Sequence, residues 1–222
     1  MTDDRKAGIA LLLGSLGGIV TMAIHPVGSS MLTPAQIEHL ALLSAVAHTL
    51  AMVSFLAIFL GAIQLMRRLA AREAPHHPDR LAIAGLVTYG FAAAALLIAA
   101  AVSGFIVPDI MRLMSRDSAA NAPQWENVIS AVFQFNQAFA RIYSVAASVA
   151  IVLWSASALR NGGLGRFIAI YGCIIPPILI ALIAVGHIRL NVHGMAAVAL
   201  THTIWFAVVG VEMYRHTPET RA

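Results

Sequence analysis

The sequence predicts an all-α, polytopic membrane protein: a six-transmembrane-helix bundle with its N- and C-termini cytoplasmic, built as a single transmembrane domain over residues 1–222. Three observations predict it. Of the 222 residues, 59% are hydrophobic and 11% charged, against about 25% charged in a soluble domain. The apolar residues are gathered into runs of about 20 residues or more, the length a helix needs to cross a bilayer. Lys and Arg divide unequally between the two sets of connecting loops.

The helices follow in order. The first covers about 8–25 (GIALLLGSLGGIVTMAIH), where Gly14 and Gly18 form a small-xxx-small pair suited to close helix approach. No small-residue cleavage site follows this run, so it reads as a retained helix rather than a removed signal. Pro26 stops it, and a Ser-, Gly- and Pro-bearing loop leads to the second helix, about 40–66. Thr33-Pro34 ahead of Gln36 marks an earlier start, near 34, as an interfacial turn. The third helix, about 81–107, is Ala-rich, and Pro108-Asp109 ends it. Residues 109–126 mix apolar and polar side chains at helical spacing and are expected on the membrane surface. The fourth helix, about 127–159, is the most polar. The fifth, about 166–186, contains Pro176-Pro177, which should kink or break it. The sixth covers about 194–214.

This topology places Arg5, Lys6, Arg67, Arg68, Arg72, Arg80, Arg160, Arg166, Arg215 and Arg221 on the side of the termini. Only Arg112, Arg116 and Arg189 fall on the other side, and Arg141 lies inside a helix. The bias makes the termini cytoplasmic and the location a bacterial-type inner (plasma) membrane. The net charge of +4 is therefore a topology signal. No basic cluster with interleaved aromatics suggests nucleic acid. The single cysteine, Cys173, sits within an apolar run, which excludes a disulfide framework and a thiolate metal site. Met22, Met31, Met52 and Met195 read as core filling. NGGLGR reads as a turn, and His76-His77 and His216 as solvated.

The chemistry-bearing residues gather toward one end. His25, His187 and His193 fall at the non-cytoplasmic boundary. His48 and His202 each lie some eight or nine residues in, about 12–14 Å, at matched depth on different helices. A charged side chain there costs roughly 2.5–3.5 kcal/mol, so each is expected neutral, partnered or ligated. The words AHTLAMVSF and THTIWFAVV around them suggest a weak repeat of the first hairpin in the last. On the fourth helix Gln134, Gln137, Arg141, Ser144 and Ser148 recur at three- and four-residue spacing along one face, with Asn136 and Tyr143 beside them. Such a face avoids lipid. Arg141 stays charged and the apolar runs supply no acid, so it either meets an external anion or snorkels toward Asp109 or helix-end carbonyls.

Bis-histidine haem b ranks first among the chemistries. His48 and His202 would ligate it, Ala47, Ala51 and Ala199 would admit the ring, and Arg141 or Arg189 would meet the propionates. Electrons would then pass between a quinone and a partner on the non-cytoplasmic side. Against this, the in-helix histidine pairing of larger b-type cytochromes is absent. The alternative is an intramembrane metalloenzyme with zinc or copper held by three of His25, His48, His187, His193 and His202. Arg141 would hold a lipid-like or phosphate-bearing substrate, with Glu38 or Asp109 as base. A small carrier or channel with histidine proton relays, working as a homo-oligomer, is the third reading, and a scaffold without chemistry the fourth.

Overall fold

The computed structural model describes residues 1–26, 32–71, 79–118 and 121–215. Met31, Arg72, His76, His77, His216 and Arg221, to which the sequence assigns loop or tail positions, lie outside the described residues. Among the described residues six helices are long and apolar enough to cross a membrane.

α1 (Asp3–Ile24) starts where the Thr2 hydroxyl accepts the Arg5 amide, an N-terminal cap. α2 (Pro34–Ala70) starts early, as Thr33-Pro34 predicts. Thr33 Oγ1 accepts the Gln36 amide at 3.3 Å and Gln36 Oε1 accepts the Thr33 amide at 2.8 Å, a complete capping box. α3 (Arg80–Ala101) is capped by the Asp79 carboxylate.

Pro108 does not end the third span, contrary to the sequence reading. A π-helical segment, Val102–Ile106, joins α3 to α4 (Val107–Arg116), and the three pieces make one 37-residue rod. The physical reason is local. Proline removes an N–H and crowds the carbonyl one turn back, and a π turn shifts the ladder by one residue, as the Val107 amide bonding to Val102 O shows. The carbonyl five residues before Pro108 is that of Ser103, and the Ser44 hydroxyl of α2 donates to it at 2.9 Å. The proline is thus accommodated by a neighbouring helix.

The expected surface helix over 109–126 is likewise divided between two rods. α4 carries the chain to Arg116, a turn at Asp117 follows, and α5 (Ala122–Asn161) begins. α6 (Arg166–Ala184) runs unbroken through Pro176-Pro177, where the sequence predicts a kink or break. Gly172, one turn before Pro176, lies flush against Ser155 of α5 and Trp205 of α7 (Val192–Arg215), and this packing holds the segment.

The helices close a ring. α1 packs along α2 and α7, α2 along α3, α3 along α5 and α5 along α6, while α6 touches α7 only lightly. Gly8 meets Gly210 backbone and Gly14 meets the Ser54 carbonyl, so small residues bring α1 against both neighbours. The ring is filled by aromatic side chains: Phe55, Tyr89, Trp154 and Phe206 form one contiguous stack with Trp205 and Tyr143 at its edges. The end bearing the N-terminus is tied by buried polar groups. Asp4 accepts from Gln64 at 2.9 Å and from Arg68 at 3.2 Å, and Arg68 also donates to the Gly163 carbonyl at 3.0 Å. Asp79 accepts from Ser157 and Asn161.

Candidate functional site

The opposite end holds two histidines in contact. The ring centroids of His25, where α1 stops, and His48 of α2 are 5.0 Å apart at an interplanar angle of 68°. His25 Nδ1 lies 3.1 Å from the Pro26 carbonyl and His48 Nδ1 lies 2.7 Å from the Ser44 carbonyl. A carbonyl only accepts, so both Nδ1 atoms carry the proton and both Nε2 atoms keep their lone pair. Neither Nε2 has a hydrogen-bond partner among the described residues.

The seat of His48 is built by the π turn. Gly104 faces it so closely that an added Cβ would come within 2.6 Å of the His48 Cβ. Ser44 serves twice: its carbonyl orients His48, and its hydroxyl holds the Ser103 carbonyl that Pro108 leaves without an amide. One proline, a turn beyond Gly104 on the same rod, therefore shapes the wall of the site. His48 itself is buried, 6% exposed.

His202 belongs elsewhere. It is buried in α7 with Ser148 Oγ 3.0 Å from Nε2 and Tyr143 Oη 3.5 Å from Nδ1. Its neighbour Thr203 faces Gly18 of α1, and Gly17 in turn faces Ser54 of α2. His202 thus sits at the level of Ser54, whereas His48 is six residues farther toward the other end, about 9 Å. The matched depth expected from the sequence is not found, because equal counts from two loops give equal depth only when both helices end at the same level.

The polar face of α5 also divides. Ser144 and Ser148 are buried; Gln134 and Arg141 are exposed, and Arg141 makes no ion pair among the described residues. Gln137 donates to the Leu190 carbonyl at 3.0 Å, tying α5 to the α6–α7 turn. Asn136 Oδ1 is buried without a partner among the described residues, and Tyr143 is buried beside His202. His187, Arg189 and His193, around that same turn, are all exposed. Arg141 bonds neither Asp109 nor a helix-end carbonyl among the described residues, and it does not join His25 and His48. Among the described residues no three His, Cys, Asp or Glu side chains form a group able to hold a metal ion, so the expected three-histidine set does not assemble.

Several residues matter here whose role the sequence pattern does not announce. Ser44, Gly104 and Pro108 carry no chemistry of their own, and only their contacts reveal a role. Arg112 reads in the sequence as a loop charge, yet it donates to both Glu38 oxygens and to Asp109 Oδ1 at 2.7 Å. His39, exposed one residue from Glu38, has no bond among the described residues. Compared with known proteins, the chain matches no family, no curated protein and no solved structure.

Proposed function

We propose that this chain is a multi-pass membrane protein, its termini cytoplasmic, that captures a first-row transition-metal ion at its non-cytoplasmic end through Nε2 of His25 and His48. Zinc, copper and iron are among the ions that imidazole without thiolate suits, and zinc and copper are the two proposed here. The observation that carries this reading is the pair itself: adjacent imidazoles, each fixed by an Nδ1–H to a backbone carbonyl. That second bond is what orients a ligating histidine and raises its basicity. Two imidazoles sharing one ion keep their ring centres about 3.15 Å from it. Centres 5.0 Å apart then subtend roughly 105° at the ion, near the tetrahedral angle. Water or a substrate atom would take the remaining positions, which leaves the ion open to exchange.

Haem b between His48 and His202 has less support. The two differ in depth, and both ring nitrogens of His202 face partners within the protein. Rings ligating opposite faces of one haem also stand about 6 Å apart, wider than the 5.0 Å between His25 and His48. A proton-conducting carrier draws on the same two free nitrogens, but inward of them the ring is filled by Phe55, Tyr89, Tyr143 and Phe206.

The test is titration of the purified protein with Zn²⁺ or Cu²⁺ by calorimetry, with X-ray absorption of the loaded sample. One ion per chain, with two imidazoles in its shell, is expected. His25→Ala and His48→Ala should each weaken binding at least about tenfold, and His202→Ala should not. Equal binding by wild type and His48→Ala would overturn the reading.

A further inference from the structure

We infer that Asn136 is the third polar group of the His25–His48 site: its side-chain carbonyl accepts a hydrogen bond from a water carried by the captured ion. The inference rests on the histidine reading above and names what fills one of the ion's remaining positions.

Asn136 opens the buried stripe of α5. Ala140, Tyr143, Ala147 and Trp154 follow it inward at three-, four- and seven-residue steps, and all four are buried in the ring. Asn136 Oδ1 is buried as well and has no partner among the described residues. A buried amide oxygen calls for a donor, from water or a ligand where no side chain gives one.

Three registers set its level. α2 and α5 run in the same direction, and the rings of Phe55 and Tyr143 meet across them with centroids 5.8 Å apart. His48 and Asn136 lie seven residues outward of that pair, two turns on each helix and so on the same two faces. Along α3, Asp79 accepts from Ser157 and Asn161. The 21 and 25 residues from these to Asn136 lead outward from Asp79 to residues 100–104, where the π turn brings Gly104 against His48. Gln137, the next residue, donates to the Leu190 carbonyl, so the same level is where α6 gives way to α7.

His48 and Asn136 are shorter than Phe55 and Tyr143, so on the same two faces their ends stand apart with room for a water. That water donates one hydrogen to Asn136 Oδ1 and turns its lone pair to the ion held by Nε2 of His25 and His48. Asn136 is a positioning residue: it touches the water, not the ion, and orients it as outer partners do in metal sites.

The experiment titrates Zn²⁺ into the full chain as wild type, Asn136→Leu, Asn136→Ala and Asn136→Asp, and melts each protein without metal. Asn136→Leu and Asn136→Ala should weaken zinc binding about tenfold or more, whereas Asn136→Asp, which keeps the acceptor, should bind at least as well as wild type. Metal-free Asn136→Leu should melt no lower than wild type, because it removes a buried oxygen that no side chain satisfies. In Cu²⁺-loaded protein exchanged into heavy water, pulsed paramagnetic resonance should detect the water's deuterons in wild type and a changed coupling in Asn136→Leu. Unchanged zinc affinity in Asn136→Leu and Asn136→Ala, with His48→Ala still weak, would overturn the inference and leave the histidine pair standing. Metal-free melting that fell in step with affinity in both variants would overturn it too, since a purely structural asparagine does that. His48→Ala binding as wild type would instead overturn the histidine reading itself.

Discussion

Replacing Gly104 by alanine tests the seat of His48 directly. An added Cβ would stand 2.6 Å from the His48 Cβ and 3.0 Å from its Cγ. Carbon atoms settle at about 3.5–4.0 Å, so the π turn and α2 must part by about 1 Å or His48 must turn from its rotamer. Overpacking of this kind costs about 1–3 kcal/mol. Alanine regains up to about 1 kcal/mol of helix propensity over glycine, so the net loss is about 0.5–2 kcal/mol. For a chain of this size that corresponds to a melting temperature lower by about 1–8 °C. Gly90, one helix stretch earlier in α3, is the control: nothing lies within 4 Å of its added Cβ, and Gly90→Ala should be neutral or stabilising. Differential scanning fluorimetry in detergent measures both, and the zinc titration should show Gly104→Ala weakened while Gly90→Ala binds as wild type. If the two variants melted together and bound metal alike, the close approach of the π turn to His48 would be refuted.

Two further outcomes concern structure away from the pair. Arg68→Ala should cost about 3–5 kcal/mol, because it strands Asp4, whose side chain is 10% exposed, beside a severed ion pair; chemical denaturation checks this, and a loss below about 1 kcal/mol would contradict the burial. Asp117 accepts from Trp125 Nε1, Asn121 Nδ2 and the Ser118 amide, and these bonds, the tryptophan's first, hold its carboxyl below the usual aspartate value of 3.8. A depressed folded-state value means that the contribution is present above pH 3.8 and fades as pH falls through the lower folded value. Asp117→Asn should therefore lower the melting temperature at neutral pH and converge on wild type in strong acid; a gap that widened on acidification would contradict this sign.

The fold was legible where it depends on composition. Six apolar runs, the capping Thr33-Pro34 pair and the glycines of α1 could all be read from residue type alone, since burial of apolar length and helix capping are local properties. Pro108 was misread for the opposite reason. Its effect on the backbone is local, but the relief comes from Ser44, 59 positions from Ser103 in the chain, and no local pattern announces that hydroxyl. The polar face of α5 was likewise correct as a stripe and mistaken as a single environment. Its inner part, Ser144 and Ser148, packs in the ring, while Arg141 and Gln134 lie on an exposed flank.

Helix length explains why counting residues from the loops does not give the levels of the histidines. The rods Pro34–Ala70, Arg80–Arg116 and Ala122–Asn161 hold 37, 37 and 40 residues. At 1.5 Å per residue they extend about 55–60 Å, roughly twice the thickness of a hydrocarbon core. The other three helices, of 22, 19 and 24 residues, match that thickness. α1 stops at His25, beside His48, while α2 continues outward for another fourteen residues to Pro34. Distance from a loop therefore measures depth in the short helices and overhang in the long ones. The overhang also gives the site its character. Where α1 ends, α2 stands past it, and the two imidazoles of His25 and His48 meet at that step.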